Sequence, residues 1–147
     1  MGRVILLDAG PLGLLAHLRK NRDIIPWLQN LLLSNIEAKI PEIADYEVRR
    51  ELLRLELRKG IIRLNELKNE LAFVPITSDI MLRAADFWAQ ARRVGLKTAD
   101  DKALDGDVIL VAIAVYEARA GDEVMIATTN TRHFSRFVAA QDWHTIG

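Results

Sequence analysis

Val4-Ile5-Leu6-Leu7-Asp8-Ala9-Gly10-Pro11 decides how the rest of the chain is read. Its four unbroken apolar residues have the length of a strand, and the Asp-Ala-Gly-Pro that follows enforces a turn. A strand apolar on both faces belongs in the middle of a parallel sheet, covered by helices above and below. Its carboxyl end then carries Asp8 where open α/β sheets bind their ligands.

Outward from that strand, helical and extended patterns alternate. Residues 12–19 and 23–37 read as helices, the second with Asp23 as cap and Pro26 in its first turn. Lys39-Ile40 reads as a brief strand before a long helix over 41–60, opened by Pro41 and closed by Gly60, and a shorter one over 62–70. A third strand over 72–76, a helix begun by Thr77-Ser78-Asp79 and running to 94, and a polar segment over 97–107 follow. Residues 108–120 form a helix apolar on nearly all sides, which predicts burial. A fourth strand over 123–127, a short helix over 131–138 and a candidate edge strand over 143–146 complete the chain. This alternation predicts a single domain over 1–147, a three-layer α/β/α sandwich with a central parallel sheet of four to five strands.

The composition agrees with a globular domain and narrows the chemistry. Half of the 147 residues are hydrophobic and 27% are charged, which argues against disorder or a fibrous protein. Twenty Lys and Arg balance twenty Asp and Glu, so bulk positive charge does not hold this chain on nucleic acid. There are no cysteines, which removes disulfides and thiolate metal sites. No apolar run approaches the roughly 20 residues of a membrane span, and the short run at Val4 stops at Asp8 rather than building a signal peptide. A soluble, cytoplasmic protein without a membrane partner is expected.

Four polar positions stand out against this frame. Asp8 follows the most apolar strand; it serves either the chemistry of the sheet end or the turn, as acceptor of backbone N–H groups. On the helix over 41–60, Ala44, Val48, Leu52 and Leu55 form the core stripe, and Glu47 and Glu51 border it. Glu47 can therefore point toward the sheet end, or pair with Arg50 on the surface as Glu51 can with Arg54. Asp107 lines up with Val111, Ala114 and Ala118 on a core-facing stripe, so its carboxylate needs compensation, part from a helix N-terminus and the rest from a metal ion. Asp100, Asp101 and Asp105 make its surroundings acidic; they read more simply as a solvated loop with Asp105 as cap. Thr128-Thr129-Asn130 ends the fourth strand, with Asn130 a candidate ligand or helix cap.

If the sheet is parallel, these carboxylates and the amide converge at one edge. Oxygen donors without Cys and with few His suit Mg²⁺ or Mn²⁺ rather than zinc, and His17, His133 and His144 lack metal-ligand spacing. A nucleophile elbow, a P-loop and a dinucleotide fingerprint are all missing.

Taken in order, the motifs resemble those of PIN-domain ribonucleases, particularly the VapC-like toxins of toxin–antitoxin pairs, over nearly the whole chain. Val4 to Leu12 looks like that family's opening; Ile40-Pro41-Glu42-Ile43 through Tyr46-Glu47-Val48 looks like its second motif, with Glu47 in the acidic position. Asp107-Val108-Ile109-Leu110-Val111-Ala112-Ile113-Ala114 is similar to its Asp-led buried helix, and Thr128-Thr129-Asn130 with His133-Phe134 to its last motif. That last motif often has Asp where this chain has Asn130.

What the resemblance implies is a PIN-like fold and Mg²⁺- or Mn²⁺-dependent hydrolysis of RNA phosphodiester bonds. Asp8 and Asp107 would be metal ligands, Glu47 a direct or water-mediated one, and Asn130 and Thr128 supporting groups, with Glu51 a candidate to share the role of Glu47 and Asp105 a neighbouring support. The set Asp8, Glu47 and Asp107 carries a formal charge of −3, which leads us to expect one well-held ion in the free protein and a second recruited with the substrate phosphate. From 48 to 63 there are six bases and two acids, so Arg49, Arg50 and Arg54 are candidates for an RNA-binding rim or simply a solvated helix face. Tyr46, Leu53 and Leu57 form a second apolar stripe, read as packing under the 62–70 helix or as a homodimer face. An antitoxin partner follows from the resemblance alone. The competing class is a non-cleaving PIN-like module that binds RNA or protein.

Overall fold

The computed structural model describes the backbone of residues 2–17, 23–95 and 101–147 and the side chains of all of these except 101–103. Residues 18 and 19 of the first expected helix, Asp100 with the start of the expected polar segment, and the side chain of Asp101 lie outside the described residues.

The opening run forms β1 (Arg3–Leu7), and four further strands join it: β2 (Ile36–Pro41), β3 (Ala72–Val74), β4 (Glu123–Thr128) and β5 (Ala140–Asp142). Their order across the sheet is β3-β2-β1-β4-β5, and every pairing is parallel. Successive side chains of β1 point to opposite faces, and each face meets its own helical layer. Ile5 and Leu7 join Leu12 and Leu15 of α1 (Ala9–Ala16), Leu28 and Leu31 of α2 (Ile24–Leu33), Val48 of α3 (Glu42–Arg54) and Leu64 of α4 (Arg58–Glu70). Val4 and Leu6 join Phe87 of α5 (Ser78–Arg93) and Val108 and Val111 of α6 (Asp101–Ala118). Each fully buried Leu or Ile contributes roughly 1.5–3 kcal/mol, so the sandwich is held by the two faces of one strand and what covers them.

This topology places the site. The chain builds outward from β1 through β2 to β3, then returns to lay β4 and β5 on the other flank of β1. The strand order reverses between β1 and β4, and a crevice opens there beyond the carboxyl ends of the strands. Leu7 pairs with Ala127 in register, and the Asp8 N–H donates to the Ala127 carbonyl at 3.0 Å. Asp8 is thereby fixed at the mouth of that crevice.

Several element boundaries differ from the sequence expectation, each for a local reason. The expected helix over 41–60 is two helices. Leu57 N–H donates to the Leu52 carbonyl at 2.9 Å and Glu56 N–H to the Leu53 carbonyl at 3.1 Å, while Glu56 takes a left-handed conformation (φ 55°). That is a Schellman end without the usual glycine. It leaves Leu55 exposed instead of in the core stripe. Gly60 does not close a helix; it lies in the first turn of α4, where a Cβ would stand 2.7 Å from Leu52 Cδ2, and lets α4 press against α3.

At the second strand, Asn35 (φ 60°) stops α2, and Ile36, Ala38 and Ile40 alternate inward, so β2 is longer than Lys39-Ile40. Asp23 makes no side-chain cap. α6 starts at Asp101 rather than 108, because Leu104 continues the buried stripe of Val108 and Val111. Asp105 is thus an exposed residue inside a helix, not a cap. After β4 the expected helix over 131–138 is only a 3₁₀ turn, Thr131–His133. The expected strand over 143–146 lies earlier as β5; Trp143 is buried and packs edge-on against Trp27 at 5.4 Å. Tyr46 and Leu53 are exposed, while Leu57 packs on the core. Among the described residues no helix is long and apolar enough to cross a membrane.

Candidate active site

Asp8 leaves β1 in extended conformation and caps α1: its Oδ1 accepts the Ala9 N–H at 2.8 Å. Its Oδ2 accepts the hydroxyl of Thr128 at 2.7 Å. Thr128 is fully buried at the end of β4, and its Oγ1 accepts the Asn130 N–H at 3.0 Å, so its proton is committed to Asp8. Turn acceptor and crevice carboxylate are therefore the same residue, with lone pairs left over on both oxygens. Burial raises the Asp8 pKa, opposed by the bonds from Thr128 and Ala9 and by the nearby His133.

Glu47 reaches the crevice from the middle of α3. Its Oε2 lies 3.0 Å from the position a Cβ on Gly106 would occupy, so α6 comes against this carboxylate with no side chain between. Burial raises the Glu47 pKa, the charge of Asp8 adds to it, and Arg50, whose Nη2 is 3.9 Å from Oε2, opposes.

Asp107 faces the same space from α6 with a side chain only 16% exposed. The helix N-terminus expected to compensate it is absent: α6 begins six residues earlier, so the N–H groups around Asp107 serve the helix itself. Its Oδ2 is buried with no hydrogen-bond partner. Burial first, then the charges of Asp8 and Glu47, push its pKa up to about 7. His133 Nδ1 stands 2.9 Å from that oxygen, outside hydrogen-bond alignment, and its Nε2 is 3.1 Å from Asn130 Nδ2. Asn130 makes no side-chain helix cap.

The crevice thus gathers Asp8, Glu47, Asp107, Thr128 and Asn130. Glu51 is not with them; it is exposed and bound to Arg54 at 2.7 Å, so it does not share the position of Glu47. Asp105 is exposed on α6. Of the candidate rim, Arg49 is bound to Asp45 and Asn65, both at 2.9 Å, and Arg54 to Glu51, which leaves Arg50 beside the site. An apolar groove runs from Ala9 past Leu14, Val48 and Leu52 to Leu57, with Glu47 and Glu51 on its border.

The donor set fits a hard divalent cation: three carboxylates share one crevice, and a buried oxygen of one of them, close to His133, accepts no hydrogen bond. Among the described residues, no three His, Asp or Glu stand close enough to share an ion as they are.

Compared by shape, the chain is similar to a chain of VapBC2 from Rickettsia felis, solved bound to a DNA fragment from their promoter. The TM-score is 0.74 over 95% of this chain and 98% of that one, at 14% identity. The fold is PIN-like. VapBC-1 from nontypeable Haemophilus influenzae (TM-score 0.72, 16% identity, 97% of this chain and 99% of that one) and FitAcB from Neisseria gonorrhoeae (0.69, 19%, 97% and 99%) are similar in the same way. No family model and no curated protein matches the sequence.

Two contacts of this crevice escape a sequence reading, although His133 itself stands in the last motif. His133 has no metal-ligand spacing along the chain; only the 3₁₀ turn brings it to Asp107 and Asn130. Gly106 sits in an acidic segment where its missing side chain carries no signal until α3 is docked.

Proposed function

We propose that this chain is a metal-dependent endoribonuclease, the toxin of a toxin–antitoxin pair. The observation that carries the reading is the buried Asp107 Oδ2, which accepts no hydrogen bond and faces Asp8 and Glu47 at the switch point of a PIN-like sheet. A protein that keeps three carboxylates mutually destabilised in one crevice gains from a cation that binds them.

Asp8 and Asp107 would hold Mg²⁺ or Mn²⁺, and Glu47 would complete the set directly or through water. Such an ion supplies polarisation of a phosphoryl oxygen and a water of lowered pKa. The protein's own part is positional. Thr128 fixes the rotamer of Asp8 through a committed hydroxyl proton, and Gly106 admits the carboxylate of Glu47. Asn130 adds a neutral polar group where a fourth charge would deepen the repulsion. The charge of −3 suits one ion held in the free protein, with a second arriving alongside the RNA phosphate. Arg50 at the rim offsets the repulsion between an acidic crevice and a polyanion.

The apolar groove beside Glu47 offers an antitoxin a seat that reaches the crevice, and the exposed Tyr46 and Leu53 offer a second copy of the chain an apolar face. Both partners belong to this reading, as does action in the cytoplasm. The alternative of a non-cleaving RNA- or protein-binding module draws on the donors' failure to close on one ion as they stand. A cleavage assay over a panel of single-stranded and structured RNAs decides between them. Cuts that require Mg²⁺ or Mn²⁺ and stop with chelator support the nuclease; binding without metal-dependent cuts supports the module.

A further inference from the structure

We infer that His133 is a nitrogen ligand to the same ion as Asp107, oriented by Asn130, and that the site consequently favours Mn²⁺ over Mg²⁺. The inference rests on the proposed metal site and adds to it a donor that the carboxylate set does not contain.

His133 Nδ1 and Asp107 Oδ2 are 2.9 Å apart, yet that oxygen is buried without a hydrogen-bond partner. The approach is therefore close in distance and wrong in direction for a hydrogen bond, whose N–H must point at the acceptor. Two donors bound at right angles to one ion through bonds of about 2.1 Å stand about 3 Å apart. The pair already has the spacing of adjacent ligands in such a shell.

A histidine ligand needs a bare lone pair on the nitrogen that binds, and its other nitrogen usually donates to an oxygen that holds the ring in place. His133 Nε2 lies 3.1 Å from Asn130 Nδ2, the donor end of the carboxamide as it stands. The two ends of a carboxamide exchange by a simple flip, and with its oxygen toward the ring Asn130 accepts the Nε2 proton and leaves Nδ1 bare. Asn130 is itself anchored, since its N–H is held by Thr128 Oγ1, which in turn holds Asp8. The ring also packs against the buried Phe134, with centroids 6.3 Å apart. One hydrogen-bonded chain thus runs from Asp8 to the imidazole.

Chemistry supplies the selectivity. Mg²⁺ prefers an all-oxygen shell with retained water, whereas imidazole suits later divalent ions, so a nitrogen donor raises Mn²⁺ affinity more than Mg²⁺ affinity.

The test uses the full chain loaded with Mn²⁺ and read by pulsed electron paramagnetic resonance, with calorimetric titration of Mn²⁺ and Mg²⁺ alongside. Wild type is expected to show coupling to an imidazole ¹⁴N that disappears in His133→Ala. Mn²⁺ affinity should fall by about tenfold or more in that variant, while Mg²⁺ affinity changes by less than about threefold. His133→Gln, checked with His133→Ala by circular dichroism, substitutes an oxygen and should lose the coupling while keeping Mg²⁺ binding. Mn²⁺ that binds wild type, is lost in Asp107→Asn and shows no nitrogen coupling overturns the role of His133 and leaves the nuclease reading standing. An unchanged preference for Mn²⁺ over Mg²⁺ in His133→Ala does the same. A wild-type protein that binds neither ion overturns both.

Discussion

Replacing Asp107 by Asn is expected to make the metal-free protein more stable at neutral and alkaline pH. The folded protein raises this carboxyl from an ordinary 3.8 to about 7, chiefly by burial and then by the charges of Asp8 and Glu47. Between those values the folded state holds a proton that the unfolded chain has released, so stability falls as pH rises from about 4 to about 7 and stays reduced above that. A shift of about three units corresponds to about 4 kcal/mol at most. Because the side chain retains 16% exposure and part of the effect is repulsion shared with two neighbours, about 2 kcal/mol is the reasonable expectation. Asn keeps the shape, and the oxygen it alters makes no hydrogen bond. For a chain of this size that is a rise in Tm of about 6 °C. Thermal unfolding in chelator near about pH 8 should show it, and the gain should shrink toward about pH 5, where wild-type Asp107 is protonated anyway. Equal stability of the two proteins at the higher pH, or a gain independent of pH, would refute the picture of a strained carboxylate crevice.

Other substitutions separate positioning from stability. Thr128→Val removes the hydroxyl shared by Asp8 and the Asn130 N–H; divalent-ion affinity should fall about tenfold and unfolding free energy by about 1–2 kcal/mol, measured by calorimetry and denaturant titration. Gly106→Ala places a methyl group 3.0 Å from Glu47 Oε2, a mobile side-chain end, so RNA cleavage should drop about tenfold while Tm moves by under about 3 °C. Glu56→Gly relieves a left-handed non-glycine residue at the end of α3 and should stabilise by about 1 kcal/mol in denaturant titration. Arg50→Ala should raise the KM for RNA severalfold and flatten its salt dependence, whereas Arg54→Ala, whose guanidinium is bound to Glu51, should leave both unchanged.

Val4 to Pro11 dictates the architecture because a doubly apolar strand has one stable environment, and Asp8 inherits its place from that strand. Glu47 was legible as a residue bordering a core stripe, and Asp107 as a carboxylate at a core-facing position. The misplacements share a cause: they depend on contacts made across the fold. Gly60 looks like a helix end until Leu52 is seen against it, and Leu104 looks like part of a polar loop until α6 is docked on the sheet. A helix starting at 108 would set Asp107 at an N-terminus, but α6 begins six residues before it, and the missing hydrogen bond on its Oδ2 shows only in three dimensions. The arginines of α3 are alike in sequence; their partners, Asp45 with Asn65, Glu47 and Glu51, tell them apart.

The proposed metal-dependent nuclease centre depends on Asp8 as its anchor. Its most direct test is RNA cleavage with Mg²⁺ or Mn²⁺ by wild type and Asp8→Asn, purified identically and matched in circular dichroism. The substitution, like chelator on wild type, should lower the rate by about a thousandfold or more. Equal cleavage by the two proteins would contradict that role of Asp8.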